Sequence, residues 1–371
     1  MATILEQIQK PRAFDAFINE NMKTSTYKVG WDTEMDVEYE PSKNWAAATA
    51  EYAAAMLGTV IDKNAERPKR DMPPIGELSG TLARMGDEWQ IDNDRLERYY
   101  YMENRFRERS VNFTKEQKRE QYAKIVKYLF NPYELAAIAP HRRIWAQYLE
   151  GLSDGQITLT KTNNNGGIVW SSAINIGITK NILRSTDVVW NTDNPTTMDV
   201  VGVLQYAEDI ADAAGKTVIK HRVSKATASL ITQSKQLKDL VQFNLGKITT
   251  RTATPALGID TVNIYLQAVG LAPIEVINEK GILNTGTAVN MFKDGRLVSM
   301  CAPRVAVLKV SDPLETVDPI PNKVYTSYKD NLISQWRNDK GRYVGYEMFA
   351  FPAFVGNKDV FILDVSQKAS A

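Results

Sequence analysis

The side chains that carry most enzyme chemistry are few and scattered in this sequence. Its two histidines, His141 and His221, lie far apart, and neither belongs to an HExxH pattern. The one cysteine, Cys301, rules out a CxxC pair, so an ordinary zinc site lacks ligands. A serine nucleophile needs a base beside it, yet there is no GxSxG elbow, and no serine stands at a distinctive spacing from either histidine. A triad assembled in space stays open at this level. Nucleotide chemistry fares no better. There is no GxxxxGK run followed by Ser or Thr, and Gly281 and Gly286 lack the strand, tight turn and helix of a dinucleotide fingerprint, so they read as turn glycines. Asp92, Asn93 and Asp94 imitate the start of a calcium loop, and Glu103 stands where its distant bidentate glutamate belongs, but Glu97 stands where its glycine must make the sharp turn. The triplet reads as a polar turn. No catalytic residue, cofactor or metal ligand emerges.

The residues that do stand out are basic and aromatic. Tyr99, Tyr100 and Tyr101 are interleaved with Arg95, Arg98, Arg105, Arg107 and Arg109, and Arg95 to Lys127 holds ten basic residues against five acidic ones. Such a pattern suits a single-strand nucleic-acid groove, where bases stack on rings and cations track phosphates. It suits a protein interface better, because Tyr and Arg are the common energetic anchors there. The whole chain has a net charge of only +1, whereas dedicated nucleic-acid binders carry a basic excess. A second group, Arg142, Arg143 and Trp145, follows His141 on a helical stretch, where that histidine reads as exposed or hydrogen-bonded. The candidate interface residues are therefore Arg95, Tyr99, Arg105, Arg142, Arg143 and Trp145.

The elements that must position these residues are mixed. Met1 to Phe17 reads as a short helix, and Asn21 to Ser42 has no sustained apolar period, which makes it an arm and not a core. Asn44 to Met56, NWAAATAEYAAAM, is rich in helix formers. Ala65 to Asp87 is punctuated by prolines and glycines and reads as an extended hairpin or projecting loop, with Arg84 to Phe106 as its return strand. Thr114 and Gln117 stand in capping-box spacing before a stripe of Tyr122, Ile125, Val126 and Leu129. Asn131 and Pro132 read as the cap and first position of a second helix, bent at Pro140 and ending at Gly155. Gln156 to Thr160 and Gly167 to Ile178 read as a hairpin about the NNNGG turn. Further on come a helix at Pro195 to Ala214, a strand at Thr217 to Val223, and helices over Lys225 to Asn244 broken near Gln236. Ile274 to Val310 and Tyr325 to Val365 are strand-rich, and KDG at Lys293 to Gly295 predicts a hairpin between Ala288 to Phe292 and Arg296 to Cys301.

With 371 residues, 43% of them hydrophobic, the chain has material for one or two compact domains in an α+β fold. No run reaches the ~18 consecutive apolar residues of a membrane span, and Met1 to Lys10 lacks a signal-peptide centre, so a cytoplasmic protein is expected.

The order of these segments resembles the lambda-like major capsid protein E family, of the Hong Kong 97-type fold. PHRRIWAQYLEGLSDGQITL, Pro140 to Leu159, looks like the end of that family's long spine helix. Asp199 to Leu240 is similar to the helix, strand and helix that open its axial domain, and DMPPIGELSG, Asp71 to Gly80, resembles its extended loop. MFKDGRLVSMCAPRVAVL, Met291 to Leu308, looks like the later axial strands, and Gly341 to Val365 like the closing peripheral segment. Val111 to Leu135 is long for the family at that point. The resemblance implies an N-terminal arm at 1–50, an extended loop at 51–110, a peripheral domain with the spine helix at 111–186 and 309–371, and an axial domain at 187–308. It also implies a non-enzymatic shell subunit of a tailed bacterial virus, assembled in the host cytoplasm as pentamers and hexamers around double-stranded DNA and ending in the virion. A separate scaffolding protein, a portal and a possible decoration protein are the expected partners, with no membrane and no cofactor. Removing Met1 to Ser42 should then block assembly without unfolding the monomer. An encapsulin-like compartment and, more remotely, a hydrolase are the alternatives.

Overall fold

The computed structural model describes residues 3–27, 29–50, 75–109, 112–160, 163–164, 174–244, 257–282, 286 and 288–370. The chain opens with α1 (Ile4–Gln7) and α2 (Pro11–Met22). Thr3 and Glu6 form a reciprocal capping box on α1, and Pro11 starts α2, where its missing N–H costs nothing. Phe14, Ile18 and Met22 recur every fourth residue and form the buried stripe of α2. The strands β1 (Met35–Tyr39), β2 (Asn44–Ala50), β3 (Ile75–Thr81), β4 (Ala83–Met85) and β5 (Glu88–Asp92) follow.

Two expectations are corrected here. Residues 44–50 form a strand paired with β3, not a helix; alanine propensity is a weak preference, and Trp45 is buried against Phe351, its ring stacked at 5.1 Å. The remainder of that predicted helix, 51–56, lies outside the described residues, as does most of the expected loop. The return strand stops at Asp92, whose Oδ1 accepts the Arg95 N–H at 2.8 Å and starts α3 (Asn93–Arg109).

The longest element, α4 (Lys115–Asp154), begins with the expected capping box: Gln117 N–H donates to Thr114 Oγ1 at 3.2 Å, and Thr114 N–H to Gln117 Oε1 at 3.0 Å. It then runs through Pro132 and Pro140 without restarting at Asn131. Proline at 140 leaves the Ala136 carbonyl without its helical donor, and the buried Asn331 amide supplies one at 2.9 Å. The helix ends where Gly155 takes φ +67°.

Beyond it lie β6 (Gln156–Ile157), β7 (Ile174–Asn175), β8 (Lys180–Leu183), α5 (Val200–Ala213), β9 (Lys220–Ser224), α6 (Lys225–Gln233), α7 (Lys235–Asn244) and α8 (Ile259–Ala268). β6 pairs antiparallel with β7, while most of the turn between them is outside the described residues. Ser224 caps α6, and the break before α7 falls at Ser234. The chain closes with β10 (Ile274–Ile277), β11 (Lys280–Ile282), β12 (Ala288–Asn290), β13 (Arg296–Met300), β14 (Ala306–Ser311), α9 (Leu314–Val317), β15 (Val324–Tyr328), β16 (Asn331–Asn338), β17 (Gly341–Ala353) and β18 (Val360–Lys368). The expected hairpin at Lys293 to Gly295 is not formed: β12 pairs with β11, whereas β13, buried at every position, pairs with β9 and β18. Burial on both faces makes β13 a central strand and β12 a peripheral one.

The chain divides into two compact units. The first, 1–45, 80–145 and 308–351, contains a sheet of order β1-β14-β17-β16-β15, with β4 and β5 also paired to β17. Phe14 and Phe17 of α2 pack edge-on against Tyr133 of α4. Buried Gln335 accepts from the Tyr133 hydroxyl at 2.9 Å and donates to the Ile8 carbonyl at 2.5 Å, satisfying the end of α1. Residues 21–42, read as an arm without a core, contribute Trp31 and Met35 to this interior. The second unit, 46–79, 146–307 and 352–371, holds a sheet of order β10-β9-β13-β18-β8. Its core joins Val203, Leu204, Ile231, Val262 and Leu266 of the helices to Val223, Leu297 and Leu363 of the sheet.

Candidate functional site

Both histidines are committed to packing. His141 is fully buried, accepts from Trp31 Nε1 at 3.2 Å on Nδ1, and has Nε2 3.3 Å from the Tyr328 carbonyl. His221 is also fully buried, and the strand register sets it opposite Ser299. Its Nδ1 is 3.0 Å from Ser299 Oγ and its Nε2 is 3.2 Å from Glu208 Oε1. That serine, histidine and carboxylate chain resembles a hydrolase triad with the two ring nitrogens exchanged, and sequence spacing did not reveal it because it depends on β13 lying beside β9. Ser299 is only 1% exposed, so the nucleophile position is closed to substrate. The group instead ties α5 to the sheet, and Glu208 also accepts the Ala272 N–H at 2.8 Å. Burial opposes ionisation of Glu208, but these hydrogen bonds outweigh it and hold the carboxyl below its usual range. Burial pushes the Cys301 thiol up to about 11, leaving little thiolate near neutrality. Among the described residues no cluster of three His, Cys, Asp or Glu is placed to hold a metal, and no helix is long and apolar enough to cross a membrane.

The six candidate interface residues fall on two helices. Arg95 of α3 is half-buried with its guanidinium 5.8 Å from the Tyr128 ring, and with Tyr99 it lines a shallow cleft closed by Leu96, Leu129 and Pro132. Tyr99 is 1% exposed, and burial raises its phenol pKa well above the ordinary value. Arg105, further along α3, is exposed. Arg142 and Arg143 are half-buried on α4, and the buried Trp145 lies against Gly30, where an added Cβ would come within 2.8 Å of the indole. Tyr99 and Trp145 are thus consumed inside the first unit; Arg105 faces solvent.

Exposed rings lie outside the six candidate interface residues. Tyr101 of α3 is 64% exposed and Tyr122 of α4 is 47% exposed. A short stretch around α9 also leaves Leu314, Val317 and Ile320 in solvent. Its signal in the sequence is a set of single apolar residues among prolines and acidic residues, PLETVDPIP, which periodicity alone does not flag.

A long helix that leads directly into strands, one sheet with the closing β17 at its centre and a second with helices α5 to α8 on it define a mixed helix-and-sheet fold of the Hong Kong 97 type. Among solved structures, a prophage protein of Escherichia coli CFT073 described as its capsid protein matches with a TM-score of 0.57 and 11% identity, over 95% of this chain and 98% of that one. A phage-related protein of Bordetella bronchiseptica RB50 matches with a TM-score of 0.47 and 14% identity, over 95% and 97% of the two chains. The capsid of Myoviridae phage XM1 gives 0.43 and 8% over 92% and 97%. The first of these carries the fold assignment. No protein-family model matches the chain. No curated protein matches it either.

Proposed function

We propose that this chain is the major capsid protein of a tailed bacterial virus, a non-enzymatic subunit that assembles into an icosahedral head shell around double-stranded DNA. The observation that carries the reading is the near end-to-end match, 95% of this chain and 98% of the other, with the E. coli CFT073 prophage protein described as a capsid protein. The burial of both histidines and Ser299 supports it, because it leaves the triad-like group a structural tie. In this reading 187–308 is the axial domain gathered at five-fold and six-fold centres. Segments 111–186 and 309–371 form the peripheral domain with the spine helix, 1–50 the N-terminal arm, and 51–110 the extended loop. Assembly takes place in the host cytoplasm with a separate scaffolding protein and a portal, a decoration protein is optional, and the product is the virion. A near-neutral charge suits a wall that confines DNA without holding it tightly.

Negative-stain microscopy and light scattering of the purified protein, alone and coexpressed with neighbouring scaffold genes, test the proposal. Uniform shells or rings of five and six subunits are expected. Strictly monomeric protein under crowding and coexpression would overturn it, and shells that copurify with a cargo enzyme in place of a genome would move the assignment to a compartment protein.

A further inference from the structure

Helices α3 and α4 form an antiparallel hairpin in the first unit: Phe106 meets Tyr122 at 6.1 Å between ring centres, and Arg95 lies over Tyr128. From Lys115 to Lys124 every side chain of α4 is exposed, so among the described residues no element beyond α3 covers this end of the hairpin. Most helical stability in proteins comes from packing an amphipathic face, and a bare two-helix tip gains stability by being covered. Its surface holds the basic excess of Arg95 to Lys127 together with the exposed rings Tyr101 and Tyr122.

The same unit carries the opposite character at one sheet edge. Between Trp31 and Ser42 there are five acidic residues and no basic one. The two-residue period of a strand sets Asp36 and Glu38 on one side of β1, and Glu40 follows directly after its last residue. Lys309 of β14 reaches Glu38 at 2.6 Å and Glu40 at 2.7 Å, one cation against two carboxylates. On the other side Val37 and Tyr39 are 44% and 59% exposed. β1 ends the sheet order, so its outer edge has no strand beside it among the described residues.

We infer that the α3–α4 hairpin of one copy docks on the β1 edge of a second copy. This rests on the shell reading and names one of its contacts. Basic residues and exposed tyrosines on the hairpin meet carboxylates and exposed Tyr39 on the strand, the combination of complementary charge and aromatic anchors that marks protein interfaces. Nucleic acid is the poorer occupant, because the exposed Glu97, Glu108, Glu116 and Glu120 interrupt the basic stripe and would face phosphates. The two surfaces are different, so the contact is heterologous and propagates from copy to copy, closing into rings or shells where the rotation permits.

The test is charge reversal with compensation. Arg98→Glu, Arg105→Glu and Arg119→Glu together should raise the concentration at which particles first form by about tenfold or more. Adding Asp36→Lys and Glu38→Gln should recover most of that loss. Circular dichroism checks that each variant is folded; should the triple variant unfold, the single Arg119→Glu variant and a sodium chloride titration of wild-type assembly answer the same question. A folded triple variant that assembles like wild type, a compensated variant no better than the triple one, or a single variant and salt titration both without effect would overturn the inference and leave the shell reading intact. Loss of binding to a short DNA duplex with assembly unchanged would overturn it in favour of nucleic acid. Wild-type protein showing neither particles nor sedimenting oligomers would overturn both.

Discussion

At the residue scale, His141 sets a pH dependence. An imidazole that accepts a hydrogen bond on Nδ1 carries its single proton on Nε2, so the buried ring is neutral, and burial pushes its pKa from 6.5 down to about 4. Nearby Lys329 lowers it further, while the Tyr328 carbonyl and Asp32 work the other way. Between pH 6.5 and about 4 the unfolded chain holds this proton and the folded chain does not, so stability is complete above that window and falls as pH drops through it. The full effect is on the order of 3 kcal/mol. Urea unfolding at stepped pH should show the decline, and His141→Gln should flatten it; an unchanged slope would count against the assignment. Asp154, Glu208 and Glu275, all held below their usual ranges, lose their contribution only at lower pH. Asn331 acts differently, since its amide replaces the donor that Pro140 cannot supply to Ala136. Asn331→Leu should cost about 1–3 kcal/mol by orphaning a buried carbonyl, read as a lower urea midpoint with unchanged slope. Pro140 was legible as a perturbation of the helix. Its partner was not, because Asn331 is distant in sequence and only the fold brings the two together.

At the element scale, local signals read well where one element decides its own ends. Thr114 and Gln117 cap α4 as their spacing implies, and Gly155 ends it. Local signals failed where pairing decides: the alanine run at 44–50 is a strand because β3 lies beside it, and β13 pairs centrally instead of turning back on β12. The candidate interface divides the same way. Arg105 is exposed as an interface residue requires, but Trp145 is held by Gly30, a contact across elements that no periodicity encodes. Gly30→Ala would press a methyl into that indole and should cost about 1–3 kcal/mol in thermal or urea unfolding. Lys309 makes a parallel case for β1. It is nearly buried, and Glu38 and Glu40 raise its pKa above the usual value despite desolvation. Lys309→Met should leave those carboxylates unpaired, and faster hydrogen exchange confined to 35–40 is the expected readout; exchange unchanged there would show that backbone pairing alone holds the strand.

At the scale of the whole molecule, the N-terminal segment separates two ideas of how such a chain associates. Read from sequence, Met1 to Ser42 is an arm that can be removed without unfolding the monomer. In the structure it supplies Leu5, Phe14, Ile18, Trp31 and Met35 to the interior of the first unit, each nearly or fully buried. Burying a large apolar side chain contributes about 1.5–3 kcal/mol, so losing five removes an amount comparable to the ~5–15 kcal/mol that holds an ordinary domain folded. Deletion of Met1 to Ser42 should therefore give protein without a cooperative unfolding transition in the first unit and sensitive to proteolysis, and any loss of particles would be secondary to that. A deletion that stays folded, protease-resistant and monomeric would restore the arm reading and place those apolar residues on a neighbouring copy in the assembled state. The distinction bears on mechanism. If the segment belongs to its own chain, copies meet as finished surfaces, and charge and exposed aromatic rings choose the contact. If it belongs to a neighbour, association and completion of the fold are one event, and assembly should then show the steep concentration dependence of coupled folding and binding.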